Sequence, residues 1–458
     1  MVADLLIRRA RLRGQVGDLR CVEGRLTELA PRLVRHPGEE ELDAAGGEVV
    51  AGLVDHHVHL RALAAAGTSV LAGPPEVNTA AELAGRLAGA AARLAPGGWL
   101  RAVGYHESVA GVLDAVRLDA LVADRPVRLQ HRGGSLWMLN TAGLEALGVA
   151  DCAETGVERD DLGRPTGRLW RMDAWLGRRV ERGASDLGAI SRRAAAWGVT
   201  AMTDATADRS QAETDELAAA CADGVIVQRL CLMSPLGVTV PEATAGRVVL
   251  GPVKVLLDDV DLPVLDELAD RFGRIRGQGR CVAVHCVTRV QLVLTMAAFA
   301  LAGARPGDRI EHGALIGQDQ FAGLRSLGVS VVTQPGLVAT RGDRYLQDVP
   351  PEDLDDLWRL GSLCRAGITV ALGTDAPYGA ADPWVTLRAA EQRSTASGAV
   401  IGGAERIGRA DALALMAGSL LRPGRTSALV PGIDADLCVV QDGVPTHTVI
   451  AGNVVFRA

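Results

Sequence analysis

The chain has 458 residues, 48% hydrophobic and 22% charged, with a net charge of −7. Acids and bases are interspersed, which excludes a nucleic-acid binder with a basic stripe and a chain with a solvating acidic tail. No uninterrupted apolar run is long enough to cross a bilayer, no basic and then apolar leader follows Met1, and the eight cysteines form no CxxC pair, so the expectation is a cytoplasmic globular enzyme with reduced thiols, bound to neither membrane nor nucleic acid.

In chain order, residues 4–50 read as short strands and turns. Leu5-Leu6-Ile7, Leu19-Arg20-Cys21-Val22 and Leu26-Thr27-Glu28-Leu29 are separated by Gly14, Gly17 and Gly24, with Glu23-Gly24-Arg25 as a hairpin turn. That is too little material for a core of its own. Residues 436–440 and 448–456, with Gly452-Asn453 as a turn, supply strands from the other end. Residues 1–50 and 419–458 are therefore expected to form one composite β-sandwich.

Between them, residues 51–418 alternate short apolar runs with helical stretches. Strands are expected at 127–130, 199–203, 253–257, 281–285, 309–312, 329–333 and 369–373. Helices are expected at 80–94, 187–197, 262–275, 290–301 and 354–366. With the histidine-bearing strand before them, this is the α/β pattern of a (β/α)8 TIM barrel. A doubly wound open sheet is the alternative, but the chain has no GxGxxG or GxxxxGK[ST] loop. Residues 152–185, rich in Arg, Asp and Gly around Trp170 and Trp175, read as a cap insertion.

The stretch Gly52-Leu53-Val54-Asp55-His56-His57-Val58-His59-Leu60 organises the chemistry. On a strand, residues two apart share a face, so His57 and His59 aim together and His56 aims away. Two imidazoles at one strand end make a pair of metal ligands. Lys254 lies in an apolar strand, His285 and His312 end the next two, and Asp375 follows another in Gly373-Thr374-Asp375-Ala376-Pro377. The C-terminal face of a barrel carries its active site. Singly, these residues read as a core histidine, a turn residue, a snorkelling lysine and a cap. Jointly, His57, His59, Lys254, His285, His312 and Asp375 form a candidate site for one or two divalent ions of the Zn2+ kind. A catalytic site keeps a position open for water, and Asp375 is the candidate to take its proton and pass it to a leaving group. A neutral, buried Lys254 is placed to become a carbamate, N6-carboxylysine, bridging two ions.

Candidate substrate contacts are Tyr105 and His106, followed by Glu107; His131, Ser135 and Trp137; and Gln334 and Arg341. The last two lie with Asp343 and Tyr345 on what reads as a long connection of the lid or binding-loop kind. Arg341 could hold a carboxylate in bidentate fashion. Tyr378 and Trp384 could line an apolar wall.

Taken in order, these motifs resemble the amidohydrolase superfamily of metal-dependent hydrolases, in the branch that includes N-substituted formamide deformylases. Asp55-His56-His57-Val58-His59 resembles the first-strand HxH, and Val253-Lys254 the fourth-strand lysine. His285 and Arg309-Ile310-Glu311-His312-Gly313 resemble the fifth- and sixth-strand histidines, and Gly373-Thr374-Asp375-Ala376-Pro377 the eighth-strand aspartate. Gly104-Tyr105-His106-Glu107-Ser108 and Gly163-Arg164-Pro165-Thr166-Gly167 resemble segments of this branch, and residues 432–437 its return into the sandwich. Two places depart from it. Gly133-Gly134-Ser135 stands where the branch has a Gly-His pair, with His131 upstream. The loop after the lysine strand is short and acidic (Asp258, Asp259, Asp261), with Asp261 as a helix cap.

The resemblance implies hydrolysis of an amide or related C–N bond of a small molecule, not a protein backbone, by a metal-activated hydroxide. A deaminase of aminated heterocycles using the same site is the alternative. A catalytically inactive relative serving in assembly is the third reading. A homodimer is the base-rate expectation.

Overall fold

The computed structural model describes residues 4–12, 14–180, 186–244, 246–424 and 428–458. The chain forms two compact units, Met1–Leu60 with Leu187–Ala458, and Arg61–Asp186.

In the larger unit both chain ends enter one eight-stranded sheet. Leu5–Leu12 pairs antiparallel with Gln15–Val22, which pairs with Arg25–Ala30. Glu48–Ala51 pairs antiparallel with Leu437–Gln441, and Val444–Ile450 and Asn453–Arg457 follow as a meander. Leu5, Ile7, Leu19, Leu26, Val49, Leu437, Val439 and Val449 bury one shared apolar core, which neither end could enclose alone. Glu23-Gly24 is the expected hairpin turn. The C-terminal turn is Ala451-Gly452 rather than Gly452-Asn453, because Ile450 pairs directly with Asn453. Both turn residues carry positive φ, 48° and 77°, as a tight hairpin twisting with its strands requires.

The rest of this unit is parallel strand and helix, a TIM-barrel-type arrangement. Leu53–Val58 pairs with Val199–Asp204, then Arg229–Leu232, then Val248–Leu250. A second parallel run joins Val253–Val255, Val282–Cys286, Arg309–His312, Ser330–Thr333 and Val370–Leu372 in order. After its last strand, the Asp375 N–H donates to the His57 carbonyl at 2.7 Å, and the His59 N–H to that of Ala376 at 2.9 Å. Gly373 permits this approach, since a Cβ there would lie 2.7 Å from the His57 nitrogen. Capping boxes Ser210/Glu213 and Thr288/Gln291 start the helices Gln211–Ala222 and Arg289–Ala302.

Several expectations are corrected. The direct neighbour of the histidine strand is Val199–Asp204, and the run at 127–130 belongs to the other unit's sheet. The helix expected from 262 spans Leu265–Gly277 with Val264 before it, so Asp261 does not cap it. Its neighbour Asp258 accepts from the Val260 N–H, and Asp259 from the Thr288 hydroxyl. The stretch 354–366 is not one helix. Trp358, with φ +52°, separates the 3-10 segment Pro351–Asp356 from Gly361–Arg365. The expected loop after Thr333 is mostly the helix Gly336–Asp348.

The unit Arg61–Asp186 is built on a six-stranded sheet ordered Val157–Arg159, Pro165–Trp170, Leu136–Leu139, Val127–His131, Leu100–Tyr105, Val70–Leu71. Leu83 and Leu87 of the helix Ala80–Ala91 pack on Leu100, Val127 and Leu129. Trp137, Leu169 and Trp175 form a second cluster. Two strands of the stretch read as an insertion, 152–185, belong to this sheet and pair from the Leu136–Leu139 side. Residues 181–185 lie outside the described residues. All eight cysteines are free, and no helix among the described residues is long and apolar enough to cross a membrane.

Candidate active site

Strand alternation sends His57 and His59 to one side of Leu53–Val58. Their Nε2 atoms lie 3.5 and 3.4 Å from one Asp375 oxygen, and the three donor atoms fall within 4.8 Å of one another. His56 faces elsewhere, with its Nε2 3.3 Å from the Ala417 carbonyl. The ring of His312 sits 4.7 Å from that of His57 and 4.5 Å from that of His285. Lys254 Nζ lies 3.2 Å from His57 Nε2. The six residues expected from the strand ends are thus brought together.

The second nitrogen of each imidazole decides what the first can do. His57 Nδ1–H donates to Glu311, which leaves Nε2 a lone pair that accepts from Lys254. His312 Nδ1–H donates to Gln334 Oε1 at 2.8 Å, and the Gln334 amide is fixed by donating to the Val332 carbonyl at 3.2 Å. Gln334 therefore orients a histidine, which corrects its expected role as a substrate contact. Replacing it with leucine leaves His312 Nδ1–H unpaired and is expected to weaken divalent-metal retention about tenfold. Chelator competition measures this, and unchanged retention would show that Gln334 does not position His312.

Burial, with Lys254 adding to it, pushes the His57 imidazole down to about 3. Burial also lowers His285, His312 and Lys254 from their ordinary values. Burial alone would raise Asp375, but the hydrogen bond with His59 and the field of His312 and His57 hold it below the usual carboxylate range. Imidazoles and an amine whose protonated forms are disfavoured by burial, together with one anionic carboxylate, are a donor set that fits a divalent cation. Asp375 and His312 have φ of +56° and +71°, left-handed conformations that cost side-chain-bearing residues on the order of 1–3 kcal/mol and collect at functional sites.

Supporting residues that the sequence reading did not assign surround this set. Arg309 clamps Glu311 and donates to the His56 carbonyl at 2.6 Å, with both side chains buried. Their signal was available, since two charged residues at i and i+2 of a short strand face one way. Asp55 Oδ1 accepts from the His57 and Thr374 N–H groups at 3.1 and 3.0 Å, and Oδ2 from the Thr374 hydroxyl at 2.5 Å. It ties the histidine strand to the Asp375 loop, and burial pushes it up to about 6. Asp204, paired with the buried Arg209, accepts from the Leu60 N–H at 3.0 Å.

The Tyr378 ring lies edge-on to His59 at 5.4 Å. Arg341 sits on the helix Gly336–Asp348, and its guanidinium donates to the Tyr378 carbonyl, so it braces that segment. Asp343 accepts from the Ser397 N–H at 2.9 Å, and Tyr345 packs near Trp358. Trp384 is buried with its indole N–H 3.0 Å from the Trp197 carbonyl, so it does not line a wall.

In the smaller unit, Tyr105 is buried and donates to the Gly111 carbonyl at 2.5 Å. Trp137 is buried and donates to Asp173 at 2.8 Å. Both are core residues of that unit rather than substrate contacts. The Ser135 carbonyl accepts from the Arg171 N–H at 2.6 Å. His106, Glu107 and His131 bring ligand-type atoms within 4.8 Å. However, His106 Nδ1 accepts the Ser108 N–H at 3.1 Å, and His131 Nδ1 the Gly133 N–H at 3.0 Å. Their protons then sit on Nε2, and His131 donates to Glu107 at 3.1 Å. That tautomer is the reverse of the one His57 and His312 adopt, and it presents donors rather than lone pairs.

Residues 40–456 match the amidohydrolase family model. The chain belongs to the amidohydrolase family. This amidohydrolase is 26% identical over 428 residues to an N-substituted formamide deformylase from Arthrobacter pascens, across 81% of this chain and 79% of that one. An uncharacterized metal-dependent hydrolase from Pyrococcus furiosus matches its structure with a TM-score of 0.72 at 19% identity, over 96% of this chain and 99% of that chain. Another from Pyrococcus horikoshii matches with 0.67 at 17%, over 94% and 99%. The structural likenesses speak to fold. Family membership makes the protein a hydrolase of C–N bonds, in a family that generally uses a divalent metal.

Proposed function

We propose that this amidohydrolase cleaves the amide C–N bond of a small molecule at the cluster around Asp375, with N-substituted formamides as the favoured class. The observation that carries the reading is the convergence of His57 Nε2, His59 Nε2 and Asp375 Oδ1 within 4.8 Å, with the His57 Nδ1–H held by Glu311. The similarity to a formamide deformylase supports the substrate class. In this reading the two parallel runs close into one (β/α)8 barrel. Residues 1–50 and 419–458 form its β-sandwich, and the unit Arg61–Asp186 is inserted after the first barrel strand.

His57, His59 and Asp375 would hold a divalent ion, Zn2+ first among candidates. His285 and His312 offer two further imidazoles. Lys254, buried, with its pKa lowered by that burial, and 3.2 Å from His57, would take up carbon dioxide as N6-carboxylysine and help hold a second ion. A bound ion supplies Lewis acidity toward the carbonyl oxygen and acidifies water. Asp375, an anion beside His57 and His59, accepts a proton on the carboxylate oxygen not given to the ion and returns it to the leaving nitrogen. Tyr378 borders His59 and limits the space beside it. Glu311 and Gln334 keep the imidazole lone pairs aimed inward.

The test is a product assay on the metal-supplemented protein with N-substituted formamides, other small amides and aminated heterocycles. Formate release from formamides is the expected result. Ammonia release from heterocycles alone would replace this reading with deamination, and no turnover in any class would bring forward the inactive relative.

A further inference from the structure

We propose that the helices Leu265–Gly277 and Arg289–Ala302 form the interface of a two-fold symmetric dimer of this chain. The second helix carries no charged residue after Arg289, yet its Val290, Val293 and Leu301 are 57%, 55% and 60% exposed. Spacings of three and eight, with Ala297 between, put them on one face. A helix that is apolar all round belongs in a core, and an exposed apolar stripe marks a surface that is covered.

The neighbouring helix identifies what covers it. Along its exposed side Asp266, Glu267 and Asp270 precede Arg271 and Arg274. Arg276, on the buried side, pairs with Asp308, but no ion pair joins Arg271 or Arg274 to the chain among the described residues. A helix running from acid to base is complementary to its own copy when the two lie antiparallel. A two-fold axis across it enforces that arrangement, and each acid–base contact then occurs twice. A lipid surface would instead call for a basic polar face. Ala269, Gly273 and Gly277 recur every fourth residue, and a Cβ at either glycine would meet nothing within 4 Å. Glycine weakens a helix interior, and at positions 273 and 277 its small size serves no contact within the chain, but it does let a second backbone approach; Ala269 is itself buried. A groove of 530 Å³ between the two helices, lined by Asp270, Arg274 and Leu301 with the small Ala269, Gly273 and Ala302, has room for an apolar side chain of the second copy.

Light scattering and sedimentation equilibrium on the full chain test this. The expected mass is twice 47.8 kDa. Val293→Asp with Leu301→Asp, both at exposed positions, is expected to give a monomer with an unchanged circular dichroism spectrum. Asp270→Arg or Arg274→Asp alone is expected to weaken the dimer roughly tenfold or more, and the two together to restore it. An unchanged circular dichroism spectrum and unfolding midpoint in each single charge variant separate that rescue from an i,i+4 effect within the helix. A wild-type monomer at the highest soluble concentration would overturn the proposal. So would a dimer indifferent to these changes, failure of the double charge variant to recover, or a monomer that binds phosphatidylcholine–phosphatidylglycerol vesicles through Val293 and Leu301.

Discussion

Replacing Asp375 with asparagine is expected to lower kcat by about 10³-fold or more, the scale of losing a positioned proton acceptor. The side chain keeps its size, and its backbone N–H still donates to the His57 carbonyl at 2.7 Å, so the loop geometry survives. What is lost is the negative charge, which His59, His312 and His57 hold in place against the effect of burial. An amide oxygen in that position can neither accept the proton nor return it to a leaving nitrogen. Steady-state kinetics on metal-supplemented enzyme, with the unfolding midpoint as a control, measure the effect. A variant that folds and retains a tenth of the wild-type rate would remove Asp375 from proton transfer.

The second large effect is expected at Glu311. It is buried, accepts from His57 Nδ1–H, and is clamped by Arg309, which is also buried. Glu311→Gln leaves the Arg309 guanidinium without its anion in a dry interior. Breaking a buried pair on one side costs about 3–5 kcal/mol, and losing the carboxylate behind a ligating histidine costs 10–100-fold in metal affinity. Arg309→Met with Glu311→Gln separates the two effects. Stability measured by urea unfolding should recover largely, because no charge is stranded, while metal affinity should stay low, because His57 Nδ1 still lacks its carboxylate. Recovery of both would mean that Glu311 serves only to neutralise Arg309.

The site was legible because its residues obey strand geometry. His57 and His59 share a face by alternation. Lys254, His285, His312 and Asp375 each stand out as polar residues in or at the end of an apolar run. What supports them was harder to read. Glu311 lies beside His312 in sequence but serves His57, which is 254 positions away, and local spacing carries no information about such a contact. The same limit misplaced residues 127–130, since a short apolar run shows that a strand exists but not which sheet it joins. The sequence offers Tyr105 and Trp137 as contacts, yet both hydroxyl and indole are satisfied inside one unit, the commoner fate of a buried aromatic with a polar tip. The helix Gly336–Asp348 lies where a long connection after the strand ending at Thr333 is expected, and it starts on a glycine and carries another at position 342. Its buried Leu337 and Val338, with Gly342 facing Thr395, show a helical stripe with a glycine at the point of closest approach.

Divalent metal per chain, measured by elemental analysis on protein purified without chelator, tests the central claim most directly when wild type is compared with the His57→Ala, His59→Ala double variant. At least one equivalent in the wild type, and loss of most of it in the folded variant, is the expected result. Equal metal content in the two, or amide hydrolysis at full rate after exhaustive chelation, would contradict the assignment of this cluster as the centre of a metal-dependent hydrolase.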